Sequence, residues 1–319
     1  MSRDGYVKKK HLFENPFQIE DLMVFDDDTL WYLLDSHAFG LTLELLALSL
    51  QGASEEQIRR FLRLLSPEQR QRFLRILWQP IVPDKVQAAR QQVLDNLFWE
   101  LTYWKTPEWY EELTEGELLH PGIFQRLAPD LRDSVVLDVG AGTGRASFEC
   151  LRQGAEVVYA VEPSPGLLRI LERKRQQDPD AGRMVVCSGR FDHLPLKDRC
   201  IDLALSCSAF TSHPEQGGEP GLKELLRVTK SGGKVVLIWP RPEDRQWLAS
   251  CGFNYLSLPA SQEMRIHFRS LQSALRCAQR FYAQNKTVAS YIRHRQQSDV
   301  PFSLIGLNPP CDYCWLEVP

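Results

Sequence analysis

The sequence predicts an α/β protein in which a doubly wound, mostly parallel sheet follows an all-α N-terminal domain. Two observations carry this. From about Asp28 to Thr114 apolar residues recur at helical spacing, with no competing strand signal. Beyond His120-Pro121 the β-branched runs SVVLDV, EVVYAVE, MVVCS, IDLALSCS and KVVLIW alternate with the helical stretches RASFECLRQG, PGLLRILERKRQ and GLKELLRVT. Such alternation implies right-handed βαβ units with helices on both faces of a parallel sheet, a nucleotide-binding type of architecture. The expected division is a helical domain over 1–118 and a sheet domain over 119–319, both within the ordinary size of domains.

Start signals define the helical elements in turn. Ser54-Glu55-Glu56-Gln57 reads as a capping box ahead of IRRFLRLL, and Ser66-Pro67-Glu68-Gln69 as another with proline at the first helical position. VQAARQQVLDNLFWELTYW is expected as one long amphipathic helix, and Thr106-Pro107-Glu108 caps the next. Arg59, Arg60, Arg63, Arg70, Arg72 and Arg75 stud the two short helices. A solvated face is the commoner meaning of such a run, and a basic face for RNA or an acidic protein partner is the alternative. Past Trp239 the pattern gives a helix near Glu243 to Ser250, strands at NYLSL and MRIHF, and a long helix from Leu271 to Gln297. The segment PFSLIGLNPPCDYCWLEVP is expected as a strand pair or a bent strand broken at Pro309-Pro310.

Composition excludes several classes. With 43% apolar and 25% charged residues the chain is neither fibrous nor wholly disordered, and a formal charge of -3 gives no general attraction to nucleic acid or anionic membranes. MSRDGYVKKKH lacks an apolar signal core, and no stretch approaches the roughly 20 apolar residues of a membrane span, so a cytoplasmic protein is expected. The eight cysteines follow no framework and read as reduced thiols. Cys311 and Cys314 form a lone C-x-x-C without the second pair that a zinc site needs, and no metal is expected.

The strongest local signal is Val136-Leu137-Asp138-Val139-Gly140-Ala141-Gly142-Thr143-Gly144, an apolar strand entering three glycines at alternate positions and then a helix. Glycines there permit a tight turn and let a ligand reach the backbone. Dinucleotide folds use G-x-G-x-x-G beside a pyrophosphate; the G-x-G-x-G here, with Asp138 two residues before it, suits a ligand bearing an ammonium group and no phosphate. Glu162 ends the next strand. A carboxylate there accepts both hydroxyls of a ribose, which points to an adenosine-containing ligand without choosing among them.

In these features the run from Val135 to Pro240 resembles the core of class I S-adenosylmethionine-dependent methyltransferases. Asp138, Gly140, Gly142 and Gly144 match the first motif of that family, Glu162 its ribose-binding acid, and RVTKSGGKVVLIWP with Gly232 and Gly233 the turn and fifth strand. The resemblance implies a seven-stranded sheet closed by an antiparallel C-terminal strand, supplied by CDYCWLEV. It also implies S-adenosylmethionine as cofactor, with S-adenosylhomocysteine as product. Where relatives have G-D-A-x-x-L-P, this chain has Gly189-Arg190-Phe191-Asp192-His193-Leu194-Pro195. Phe191 is the candidate to cover the adenine face and Asp192 to reach its amino group; a loop of merely structural meaning is the alternative.

Methyl transfer from a sulfonium is an in-line displacement that mainly needs alignment and exclusion of water, with a base only if the acceptor must lose a proton. The family builds its acceptor site beyond the fourth strand, here IDLALSCSAFTSHPE. Ser206 is a candidate cofactor contact there, and His213 and Tyr110 are the catalytic candidates, although Tyr110 with Trp109 equally reads as packing. Asn308-Pro309-Pro310-Cys311 resembles acceptor loops of other methyltransferases but falls about 100 residues too late in the chain order of such folds, so it is read as a turn. The function expected is methyl transfer to a small-molecule acceptor, with the helical domain as lid or interaction module. The alternatives are a non-catalytic adenosyl-binding protein with a protein or RNA partner and, opposed by the glycine spacing, an NAD-dependent oxidoreductase.

Overall fold

The computed structural model describes residues 15–35 and 38–319; the expectation drawn from the first eleven residues lies outside them. The chain forms two compact units. One comprises the described residues up to Thr106 together with Ala278–Lys286, and the other Pro107–Cys277 with Thr287–Pro319.

The first unit is helical: Asp27–Asp35, Leu43–Ser49, Glu55–Leu64, Pro67–Leu77, Pro83–Asn96 and Phe98–Lys105 follow one another. Their apolar stripes meet in a core that buries Leu30, Leu50, Phe61, Phe73, Leu97 and Phe98 completely or nearly so. Ser66 and Gln69 form the expected reciprocal cap. At Ser54 only half the box exists, because the Gln57 amide turns inward to donate to the Ile19 carbonyl. Thr106 makes no cap, its hydroxyl being buried without a hydrogen bond, and Pro107 starts the next helix unaided. The single helix expected over 86–104 is two, because Leu97 leaves helical geometry at ψ 11°.

The arginines of this unit are largely committed to its own chain. Arg60 donates to Asp27 and to the Met23 and Phe25 carbonyls, and Arg70 to the Leu62 and Leu65 carbonyls. Arg59 pairs with Glu55 and Arg72 with Glu44.

The second unit is built on a seven-stranded sheet. In chain order its strands are β1 Val135–Val139, β2 Val157–Glu162, β3 Met184–Ser188, β4 Ile201–Cys207, β5 Thr229–Ile238 and β6 Asn254–Ser257. Arg265–His267 (β7) and Asp299–Pro301 (β8) pair in a separate antiparallel ribbon, and β9 is Asp312–Glu317. The sheet order is β3-β2-β1-β4-β5-β9-β6, with β9 antiparallel to both neighbours and the other pairings parallel. This is the seven-stranded arrangement that the resemblance implied.

Residues alternate between two cores, as the period of a strand requires. Val136, Leu203, Leu205 and Val236 face one core with Phe148 and Leu127; Leu137, Ala204, Val235 and Leu237 face the other with Leu222 and Leu225. Two expectations beyond Trp239 are corrected. The long helix is two, Leu271–Phe281 and Lys286–Arg295, and the segment after it forms β8, the short helix Phe302–Ile305 and a single strand β9. Asn308-Pro309-Pro310 occupies the approach to β9, as the reading of a turn required.

Candidate functional site

Strand order reverses between β1 and β4, and in open α/β sheets a ligand binds outside the carboxyl ends of the strands at that switch point. The three glycines lie there. Gly140, Gly142 and Gly144 all have positive φ (70°, 57° and 93°), a region that a side chain disfavours. Space adds to the constraint: a Cβ on Gly144 would stand 2.5 Å from Leu171 Cδ1, and one on Gly140 2.8 Å from the Ala209 Cβ. Gly142 is different, since a Cβ there would meet only the Tyr110 ring at 3.5 Å. Gly140 and Gly144 therefore serve the fold's own packing, and Gly142 presents backbone toward the crevice.

Asp138 and Glu162 converge on this turn from β1 and β2. Glu162 Oε2 accepts from the Gly142 N–H at 3.0 Å and Oε1 from the Ser164 N–H at 2.9 Å, so the acid braces the loop and still has lone pairs to offer. Burial pushes its carboxyl up to about 7, against the pull of those two N–H groups. Asp138 Oδ2 accepts from the Ser147 hydroxyl at 2.5 Å, while Oδ1 is buried with no partner. Burial raises the Asp138 carboxyl to about 6, with Ser147 opposing. On β4, Ser206 is 1% exposed and its hydroxyl too lacks a hydrogen bond. Buried polar atoms are ordinarily satisfied, so the orphaned Asp138 oxygen and Ser206 hydroxyl mark positions suited to a polar ligand.

The remaining candidates divide. The Phe191 ring lies against Gly140, 3.0 Å from where its Cβ would be, and meets Phe210 edge-on with centroids 5.3 Å apart. Asp192 does not join it: the residue is exposed and pairs with Arg190 at 3.2 Å. His213 is exposed in the loop after β4, its backbone N–H bound to Thr211 Oγ1, and does not line the cavity beside the glycine turn. Tyr110 does, together with Thr114, Thr143, Arg145 and Cys207, leaving a cavity of about 20 Å³, room for about one water. Burial raises the Tyr110 hydroxyl above its usual range, which makes it a poor base.

Sequence reasoning missed Ser147, Arg145 and Glu117. Arg145 and Ser147 follow the last glycine within one helical turn and were legible by position. Glu117 lies before the first strand and meets Arg145 only in the folded chain, and no local pattern announces that.

The fold, the glycine turn and the two acids define a class I S-adenosylmethionine-dependent methyltransferase domain, whose cofactor is S-adenosylmethionine. Residues 137–237 match the methyltransferase domain family. It is similar to an uncharacterized methyltransferase of Mycobacterium bovis, 31% identical over 118 residues that cover 37% of this chain and 44% of the other. It is also similar to the demethylmenaquinone methyltransferase of Thermobifida fusca, 40% identical over 103 residues that cover 32% of this chain and 42% of the other. The chain thus spans less than half the length of these relatives. Among solved structures, a SAM-dependent methyltransferase from Aquifex aeolicus aligns at 20% identity and a TM-score of 0.39, over 51% of this chain and 90% of that one.

Proposed function

We propose that the chain transfers a methyl group from S-adenosylmethionine to a small-molecule acceptor. The observation that carries the reading is the buried, unpartnered Asp138 Oδ1 beside a glycine turn. A carboxylate oxygen there accepts from the ammonium of the cofactor's amino-acid part, with Gly142 giving access to the backbone and Gly140 and Gly144 fixing the tight turn around it. Glu162 accepts from the ribose hydroxyls, Ser206 offers a hydrogen bond from β4, and Phe191 supplies an apolar face beside Gly140. Asp192 is the weakest of these candidates, because Arg190 already engages it.

The cofactor, when bound, supplies an electrophilic methyl group. The chain's own part is to align an acceptor with it and to keep water out. Tyr110 has to give way to admit a molecule of that size, since the cavity it lines beside the glycine turn holds little more than a water. Neither His213, exposed, nor Tyr110, held protonated by burial, is placed as a general base, so the reading favours an acceptor that needs none from this chain.

A partner bound through the arginine-bearing helices is the second reading, and it is weaker because at least four of the six arginines already bond within the chain. A cytoplasmic location accords with eight free cysteines and with the absence, among the described residues, of a helix long and apolar enough to cross a membrane.

Calorimetric titration with S-adenosylmethionine, S-adenosylhomocysteine and NAD tests the reading, with Asp138→Ala and Glu162→Ala as controls. Micromolar binding of the two adenosyl ligands, lost in both variants, is expected. Preference for NAD, or no binding of the three, defeats it.

A further inference from the structure

Among the residues lining the cavity at the glycine turn, Arg145 alone is cationic. Its surroundings lie on the β4 and β5 side of β1, whereas Glu162 ends β2 on the other side. Arg145 Nη1 donates to the Glu117 carbonyl at 3.1 Å and to Glu117 Oε2 at 3.3 Å. Nη2 donates to Ser208 Oγ at 3.0 Å and to Cys207 Sγ at 3.6 Å. The guanidinium also lies over the Trp239 ring, 5.7 Å from its centroid.

Three features distinguish this arrangement from a clasp that only holds the fold. Ser208 and Trp239 are both non-glycine residues at positive φ, 56° and 54°, one just beyond β4 and the other just beyond β5. Such strain persists where the surrounding structure needs a side chain held in one place, and it clusters at ligand sites. The contact with Glu117 is long and single-pointed, although an arginine fork holds a carboxylate best through two parallel bonds. The far side is open: Ser208 is exposed and Trp239 partly so, while Glu117 is buried at 6% exposure. A buried internal carboxylate thus occupies an arginine whose other side faces solvent.

We propose that Arg145, Trp239 and Ser208 form the acceptor-recognition subsite and take a small molecule bearing a carboxylate. That carboxylate replaces Glu117 on the guanidinium, with the apolar remainder against Trp239. The proposal rests on the methyltransferase reading, which puts the cofactor over β1 and β2 with Ser206 of β4 at its margin, and leaves Ser208 and Trp239, beyond the ends of β4 and β5, to the acceptor. The cofactor's own carboxylate offers the same chemistry, and the test separates the two.

Protein saturated with S-adenosylhomocysteine is titrated calorimetrically with benzoate and with its uncharged analogue benzamide. Benzoate is expected to bind at least about tenfold more tightly than benzamide, the order of a buried charge-assisted pair. Arg145→Gln removes that preference while the affinity for S-adenosylhomocysteine stays within about twofold, which also reports that the site is folded. Glu117→Gln, which removes the competing carboxylate, tightens benzoate binding; a purely structural Glu117 predicts no change or weakening. Absence of benzoate binding to the loaded wild type, or an equal response to benzamide, overturns the proposal. So does loss of S-adenosylhomocysteine affinity in Arg145→Gln, which assigns the guanidinium to the cofactor's carboxylate. Failure of the wild type to bind S-adenosylhomocysteine at all is a different result and strikes the methyltransferase reading itself.

Discussion

Lowering the pH from 8 to 6 should weaken cofactor binding through Glu162. Its carboxyl is raised to about 7 by burial, and its ordinary value is 4.5. Ribose hydroxyls donate best to the ionised form, so binding selects it. When only the ionised fraction is competent, the apparent Kd rises by the inverse of that fraction, about elevenfold at pH 6 and about 1.1-fold at pH 8. Asp138, raised to about 6, steepens the loss below that pH because its anionic form receives the ammonium. The free protein should show the opposite trend. A carboxyl whose folded value lies above its unfolded one stabilises the fold fully below the unfolded value, and that contribution is lost as the pH rises through the folded one. For Glu162 this is roughly 3 kcal/mol, present below about pH 4.5 and gone above about pH 7. Calorimetric Kd values for S-adenosylhomocysteine from pH 5.5 to 8.5, beside melting curves of the free protein, measure both. A Kd unchanged within about twofold between pH 8 and pH 6 would refute the assignment of Glu162 as an ionised acceptor.

Gly144→Ala combines a positive φ with overlap against Leu171 and Phe148 and should cost about 2–4 kcal/mol, read as a lower denaturant midpoint. Ser147→Ala strips Asp138 of its remaining side-chain donor; a loss of about 1–3 kcal/mol is expected at pH 8, shrinking at pH 5 where the carboxyl is protonated. Asp312→Asn weakens a 3% exposed acceptor bound by Arg245 at 2.7 Å and by the Tyr255 hydroxyl at 2.9 Å. Because Arg245 stays 38% exposed and keeps part of its hydration, the expected cost is about 1–3 kcal/mol by thermal melting, without change in S-adenosylhomocysteine affinity.

The sheet was legible because its central parallel strands are buried on both faces and write apolar runs such as VVLDV and LALSC, while the edge strand β3, with Val185 42% exposed, still carries the β-branched pair of MVVCS. The place of β9 was readable only through the resemblance, since no local pattern says that Tyr313 pairs with Ile238 on one side and Leu256 on the other. Helix breaks were harder. LDNLFWELTYW keeps its apolar spacing through Leu97, where the backbone nonetheless turns. At the site, Asp138 and Glu162 were found because strand ends and glycines punctuate the sequence. Asp192 was placed by analogy with a shifted position, and its ion pair with Arg190 could not be read from spacing alone. The Arg145 cluster joins residues 117, 145, 208 and 239, a set that only the folded chain collects.

The wedging of β9 between β5 and β6 also bears on how the molecule assembles. β5 ends at Ile238, and the strand that covers its edge begins about seventy residues further on, so this pairing has a large loop-closure cost and belongs to the slow, non-local class of contacts. Until β9 arrives, Val235 to Ile238 present an apolar strand edge, the kind of surface that recruits other chains. Nascent or heat-stressed protein should therefore be vulnerable to aggregation at this edge, and a chaperone that shields β5 should raise the yield of refolding more than one acting on the helical unit.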